Sequence, residues 1–357
     1  MSTLELPSIQ VAKMLEKNLP VVDVRSPGEF SHFSYPGSIN LPLFSDEERV
    51  EVGTTYKQAD PEQAKDIGIV HFAEKLPDYY QTIKELTENG QKPVVIACAR
   101  GGMRSGSFVS LFASLQLPVV QLEGGIRSLR GYVQAELERL STLPWKAIVI
   151  GGYTGTRKTV WLEELQKQSW PVLNLEGLAS HRGSIFGHIG LEKRSQKQFE
   201  WLLMKELQDL EHFPYMIMEA ESKRIGPIVL PEWLQLVKEN GAYVELHDSM
   251  ERRVSYLLKE YNPAENAESF HAALERLKKR LKPDSLKIIK PAEQQKDYAL
   301  IFKELLTSYY DPRYSHKQRE YAEDDRICPV YAELMTDNEI LQAIVEAIEL
   351  QAEKLKP

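Results

Sequence analysis

The stretch VVIACARGGMRSG, residues 94–106, decides the fold of the first part of the chain. An apolar run over 93–97 reads as a buried strand, Cys98 follows it directly, and Arg104 lies just inside a helix-like stretch that extends to Gln116. A loop that runs from a strand to a helix N-terminus turns successive backbone N–H groups toward one point, and Gly101 and Gly102 are free to take the positive φ this needs. The helix dipole, Arg100 and Arg104 favour negative charge there, so the loop Arg100, Gly101, Gly102 and Met103 is expected to stabilise a thiolate on Cys98 and to bind an oxyanion. The alternative is a buried structural cysteine closing a core strand. The Gly-Gly turn and the flanking arginines favour chemistry.

Outward from this loop, apolar runs at 20–24 and 119–122 alternate with helical patterns at 9–18, 61–68, 75–89 and from Gly125 to about Leu140, which is α/β order. STLPW (141–145) breaks the last of these helices and reads as a linker. A second α/β unit opens with the strand-like run 146–150, and its later apolar runs at 172–175, 215–218 and 242–246 fit a parallel sheet covered by helices. The division predicts one domain over 1–140 and another over 141–357, the latter with a helical C-terminal part.

The second unit carries its own anion motif. GGYTGTRKT aligns Gly152, Lys158 and Thr159 with the phosphate-loop pattern Gly-x4-Gly-Lys-Thr, with Gly155 and Thr156 inside the loop. Arg157 stands where the last glycine belongs. It is expected either to crowd the loop, if the backbone there needs positive φ, or to add a cation facing the phosphates. Loop N–H groups and Lys158 would hold a diphosphate and the Thr159 hydroxyl would coordinate magnesium, with Glu219 at the end of the run YMIM as the strand-end acid. Glu176, His181 and Arg182 in NLEGLASHRGSIFG, and Arg224 in EAESKRIG, are further polar groups at strand ends, where sites of such sheets open. Either segment could instead be an ordinary solvated loop.

Composition bounds the class. The chain has 357 residues, 42% hydrophobic and 27% charged, which suits two globular domains. No apolar run approaches the roughly 18 residues of a membrane span and the first ten residues lack the features of a signal peptide, so a cytoplasmic protein with no membrane contact is expected. Two cysteines, Cys98 and Cys328, cannot make a disulfide framework, and Cys328 is expected to be dispensable. A net charge of -8 argues against histone-like binding of nucleic acid, yet residues 276–290 form a dense basic segment.

DVRSPGEF (23–30), PGSINLP (36–42) and LEGGIRS (122–128), taken with the Cys98 loop, resemble the rhodanese fold, in which the loop cysteine carries a persulfide sulfur. Five residues separate Cys98 from Arg104. The loop is thus one residue longer than in ordinary sulfurtransferases and shares the Cys-x5-Arg pattern of cysteine-dependent phosphatases. The order of this domain, STLPW, GGYTGTRKT, LEGLASHRGSIFG, EAESKRIG and MERRVSYLLKEY (250–261), with EERVEVGTTYKQ (47–58) and YYDPRY (309–314), resembles the tRNA 2-selenouridine synthase family over almost the whole chain. Arg157 and Asn174, where an acid is expected, depart from its pattern.

That resemblance implies replacement of sulfur by selenium at wobble 2-thiouridine of tRNA through an S-geranyl intermediate. Geranyl diphosphate would bind at the phosphate loop, with magnesium at Thr159, and selenophosphate at Cys98, with no tightly bound cofactor. The enzyme that makes selenophosphate is an implied partner. On charge rather than on the resemblance, Lys278, Lys279 and Arg280 of the basic segment are expected to contact tRNA phosphates, a solvated helix face being the alternative. The alternative enzyme is a sulfurtransferase or Cys-x5-Arg phosphatase fused to an NTP-dependent kinase-like domain. A noncatalytic rhodanese-like docking module is a third reading, against which the intact Cys98 loop argues.

Overall fold

The computed structural model describes residues 6–58, 60–313 and 326–355. Tyr314 of YYDPRY lies outside them. The chain divides into two compact units, 1–138 and 139–357. No helix among the described residues is long and apolar enough to cross a membrane.

In the first unit five strands form an all-parallel sheet: β1 (Ser8–Ile9), β2 (Val21–Asp23), β3 (Ile39–Asn40), β4 (Val94–Ala97) and β5 (Val119–Leu122), in the order β1-β5-β4-β2-β3. β4 is central and wholly buried, as its uninterrupted apolar sequence requires in a sheet covered on both faces. Phe72, Phe108 and Phe112 pack against it, with ring centroids 5.8 and 4.4 Å apart along the series.

The two expected helical stretches between residues 61 and 89 are one helix, Pro61–Leu86. Asp60 caps it, Pro61 occupies its first turn, and it continues through Pro77. Proline lacks the N–H of that turn, so packing must carry the helix across it; Phe72, Tyr79 and Ile83, on either side, are buried in the core. EERVEVGTTYKQ lies within a helix of its own, Asp46–Gln58, whose Val52 packs against that core.

The second unit holds another parallel sheet: β6 (Ala147–Gly152), β7 (Val172–Leu173), β8 (Met216–Glu219), β11 (Ala242–His247) and β12 (Ile327–Tyr331), in the order β12-β11-β6-β8-β7. A separate hairpin pairs β9 (Arg224–Ile225) with β10 (Ile228–Val229). The chain leaves β6 toward β7 and β8 on one side and later adds β11 and β12 on the other. β6 therefore ends at the switch point, where the crevice of such a sheet opens. The expected helical C-terminal part does contain helices over 250–305 and 337–354, but β12 interrupts it. Sequence periodicity hides this strand because Pro329 sits in it, which an edge strand tolerates.

The helix Met250–Tyr261 ties the phosphate loop to the helical part. Arg253, 4% exposed, donates from Nε to the Thr154 carbonyl at 2.9 Å and from both terminal nitrogens to Asp311 at 3.0 and 2.6 Å, while covering the Tyr153 ring. MERRVSYLLKEY and YYDPRY are thereby joined. Arg253→Ala should destabilise the second unit by about 3 kcal/mol, the low end for breaking a buried pair because Asp311 keeps some contact with water. Urea unfolding followed by the tryptophans of that unit measures this; a loss below about 1 kcal/mol would mean that the pair does not hold the loop.

Candidate active sites

Cys98 is 2% exposed at the end of β4, and the helix Met103–Ser114 begins five residues later. Gly101 takes φ +64°, whereas Gly102 stays at −99°, so only one of the two glycines supplies the left-handed turn. The LEGGIRS segment closes on this loop from the other side: Ile126 N–H reaches the Cys98 carbonyl at 2.8 Å and Arg127 N–H the Ala99 carbonyl at 3.1 Å. A side chain at Gly125, itself at φ +60°, would lie 2.2 Å from the Cys98 oxygen. With those carbonyls satisfied from behind, the loop's amides are left to face the sulfur.

The Ser105 hydroxyl donates to Cys98 Sγ at 3.1 Å, with the Gly102 carbonyl a longer alternative acceptor at 3.4 Å, and accepts from Gln121 Nε2 at 2.8 Å. Burial pushes the thiol up, but Ser105 and the backbone hydrogen bonds of Arg100, Ser105 and Gly102 outweigh it and hold Cys98 below its usual range. Neither Ser105 nor Gln121 stands out in the sequence, because their role depends on β5 lying beside β4.

Arg104 is directed elsewhere than the sequence implies. Its guanidinium binds Glu29 at 2.6 and 3.4 Å, and the same carboxylate lies 3.6 Å from Arg49 of the Asp46–Gln58 helix. Burial raises Glu29, yet Arg104, Arg49 and the Ser26 backbone hold it below the ordinary carboxylate range. The loop therefore favours a thiolate through N–H and O–H donors, and Arg104 stands with its charge already matched. Ser26 and Glu29 form a capping box at the helix Pro27–His32, a pattern visible in DVRSPGEF that could have marked Glu29. Arg100 and Met103 are exposed at the loop's surface.

The phosphate loop joins β6 to the helix Lys158–Lys167. Arg157 is its N-cap at φ +62°, the left-handed conformation that the glycine of the usual motif supplies. Its side chain lies over the Trp161 ring, 4.6 Å from the centroid, and donates to Asp337 at 2.8 Å. Lys158 folds across the loop to the carbonyls of Gly152 and Tyr153 at 3.0 and 3.3 Å. Thr156 turns inward and donates to Tyr153. Asn174 caps the short helix Leu175–Ala179 through its Oδ1 to Gly177 N–H at 2.7 Å, as an aspartate would.

Several carboxyls lie beyond the loop. Thr159 donates to Glu176 at 2.6 Å, and Glu219, fully buried, accepts Leu175 N–H at 2.9 Å on one oxygen while the other has no hydrogen-bond partner. Burial pushes Glu219 up to about 7. Burial, then Glu221 and Glu219, push Glu176 well above its ordinary value. Glu221, unnoticed in the sequence, shares this wall with Glu260, which holds Arg182 at 3.1 Å. His181 lies against Gly187 and Gly226, where any side chain would meet its ring, and burial, with His188 and Arg182, pushes it below the usual imidazole range.

The loop, Glu176, Arg182, Glu221 and Glu260 line a pocket of about 80 Å³. A cavity of about 1520 Å³ adjoins it through Gly183, Ser184, Glu221 and Tyr310, and takes in His181, Arg224, Lys279 and Arg280. Lys278 is not part of its wall: its ammonium binds Glu275 at 2.6 Å and also Glu293. The expected basic trio is thus split by the geometry of the helix Ala267–Lys278.

These features define a class: a rhodanese-like domain with an activated cysteine, followed in the same chain by a phosphate-loop α/β domain. Residues 9–131 match the rhodanese-like domain and residues 145–336 match the tRNA 2-selenouridine synthase AAA domain. The chain is 31% identical over 344 residues to the tRNA 2-selenouridine synthase of Sulfurovum sp. (strain NBC37-1), covering 88% of this chain and 93% of that protein. It is 34% identical over 264 residues to that of Proteus mirabilis (strain HI4320), covering 73% and 70%, and 31% over 341 residues to that of Hydrogenovibrio crunogenus, covering 86% and 91%. It belongs to the tRNA 2-selenouridine synthase family.

Ser105→Ala removes a hydrogen bond to the thiolate, so the pH midpoint of Cys98 alkylation should move upward, toward that of an ordinary thiol; an unmoved midpoint would leave the backbone as the whole cause. Arg157→Gly relieves about 1–2 kcal/mol of left-handed backbone strain but loses a partly exposed ion pair and a cation–π contact of together about 1–2 kcal/mol. Stability should change by less than about 1 kcal/mol, and diphosphate affinity should hold or rise in calorimetric titration. A several-fold loss of affinity would make the guanidinium a ligand.

Proposed function

We propose that this protein replaces the sulfur of a wobble 2-thiouridine in tRNA by selenium, in two steps divided between its two units. The observation that carries this reading is the pairing, in one chain, of a thiol held below its usual range with a phosphate loop that lies beside a large cation-walled cavity. Sulfide is a poor leaving group, so direct displacement from a thiocarbonyl is slow. Alkylation of the sulfur turns it into a thiol that can depart.

In the first step the thiouridine sulfur attacks the carbon of geranyl diphosphate that bears oxygen. The C–S bond forms as the C–O bond breaks, diphosphate leaves with the bonding pair, and the N3 proton of the thiouridine is lost to solvent. Loop N–H groups and Lys158 take up its charge, a task that suits fixed donors in a dry site. Burial raises Glu176 well above its ordinary value, which lessens its repulsion of that anion. The donor set also fits a magnesium ion: Thr159 hydroxyl and Glu219, whose buried free oxygen has no hydrogen-bond partner, are both hard oxygen ligands. Bound there, the ion would neutralise part of the diphosphate charge.

In the second step selenium from selenophosphate bonds to C2 and geranethiol leaves, while water takes the phosphoryl group as phosphate. The loop around Cys98 presents N–H donors to the selenophosphate oxyanion, and the thiolate stands beside it.

Two variants separate the steps. Cys98→Ser should abolish selenation and leave geranylation of a 2-thiouridine anticodon stem-loop largely intact. Lys158→Ala should slow geranylation about tenfold or more, in line with roughly 1.5–3 kcal/mol for a charge-assisted contact, while selenation of a pre-geranylated RNA persists. Nucleoside mass spectrometry reads both. Equal loss of both reactions in a folded Cys98→Ser protein would overturn the division.

A further inference from the structure

We infer that the large cavity of the second unit is the seat of an everted nucleotide: the target uridine leaves its stack and enters between His181 and the Tyr309–Tyr310 pair, with neighbouring phosphates held by Arg276, Lys279 and Arg280. This rests on the tRNA reading above and assigns the residues that would receive the base. At about 1520 Å³ the cavity exceeds the roughly 300–1,000 Å³ typical of small-molecule pockets, so it has room for more than an alkyl diphosphate. It shares Gly183, Ser184, Glu221 and Tyr310 with the phosphate-loop pocket, which places a base inside it next to a carbon whose diphosphate lies on the loop.

The wall has the two properties that single-stranded RNA demands. Cationic side chains outnumber acidic ones in it, although the chain as a whole carries a net charge of -8. Flat faces are also present. Tyr309 and Tyr310 stand edge to face at 5.1 Å, Arg313 lies over Tyr309 at 3.5 Å, and the His181 ring belongs to the same lining. Aromatic faces and guanidinium planes are what an unstacked base packs against. Eversion also answers a chemical need. An atom at C2 of a pyrimidine is shielded by stacked neighbours, and enzymes that act on a base take it out of the stack. An acidic protein would answer to the charges but not to the stacking faces.

The test uses an anticodon stem-loop RNA carrying 2-thiouridine with 2-aminopurine beside it, whose fluorescence rises on unstacking. Binding to the intact protein should raise the signal. Tyr309→Ala should lose the rise and lower kcat/KM for RNA about tenfold, with the KM for geranyl diphosphate unchanged, and Tyr309→Phe should restore both. The exposed charges give an independent arm that does not depend on Tyr309→Ala folding. Arg276→Gln, Lys279→Gln and Arg280→Gln together should reduce the slope of log Kd against log salt by about 2, at roughly 0.7 per single-strand phosphate contact, whereas Lys278→Gln should not change it. Geranylation by the intact protein with no fluorescence change would overturn the eversion, and an unchanged slope in the triple variant would overturn the phosphate contacts. Absence of geranylation despite a fluorescence rise would instead count against the two-step reading and leave the nucleotide site standing.

Discussion

The first N–H groups of a helix have no partners within it, and both units place such a helix directly after a central parallel strand. β4 runs into the helix that begins at Met103, and β6 into the one that begins at Lys158. Each turn is thus a ready place for negative charge, and the surrounding residues decide which anion it holds. Around β4 they leave room for a sulfur: Ser105 and Gln121 aim a hydroxyl at it, and the LEGGIRS segment takes up the outward carbonyls. Around β6 they make a wider cradle backed by Lys158, with Arg253 fixing the Thr154 carbonyl from behind.

The second cradle would be poor for a dianion if every neighbouring carboxyl were ionised. Burial answers this in part, since it raises Glu219 to about 7 and Glu176 well above its usual value. Arg182 and Tyr256 satisfy Glu260, so its charge, where present, is matched locally.

Much of this could be read from the chain before any fold was known, and for a physical reason. Strands buried on both faces of a parallel sheet are near-continuous apolar runs, so β4, β6, β8 and β11 stand out, and the turns after β4 and β6 carry glycines and basic residues in recognisable order. The concern about Arg157 was legible too, since a motif glycine implies a left-handed backbone, and Arg157 does sit at φ +62°. What was hidden is what depends on packing between distant segments. Arg104 looks like an anion clamp until Glu29, 75 residues earlier, is placed against it. Lys278 looks like an RNA contact until the next helix brings Glu293 beside it. β12 is hidden by Pro329, and Glu221 is one acid among many until the fold brings it to a pocket wall with Glu176 and Glu260.

The division of chemistry between the two loops can be tested most directly by complementation in trans. Cys98→Ser and Lys158→Ala proteins are incubated separately and then together with a 2-thiouridine stem-loop, geranyl diphosphate and selenophosphate, and nucleosides are followed by mass spectrometry. The expected result is S-geranyl-2-thiouridine with the first protein, little product with the second, and 2-selenouridine when both are present. Failure of the mixture to form 2-selenouridine, with the geranylated nucleoside present and both proteins folded, would contradict it.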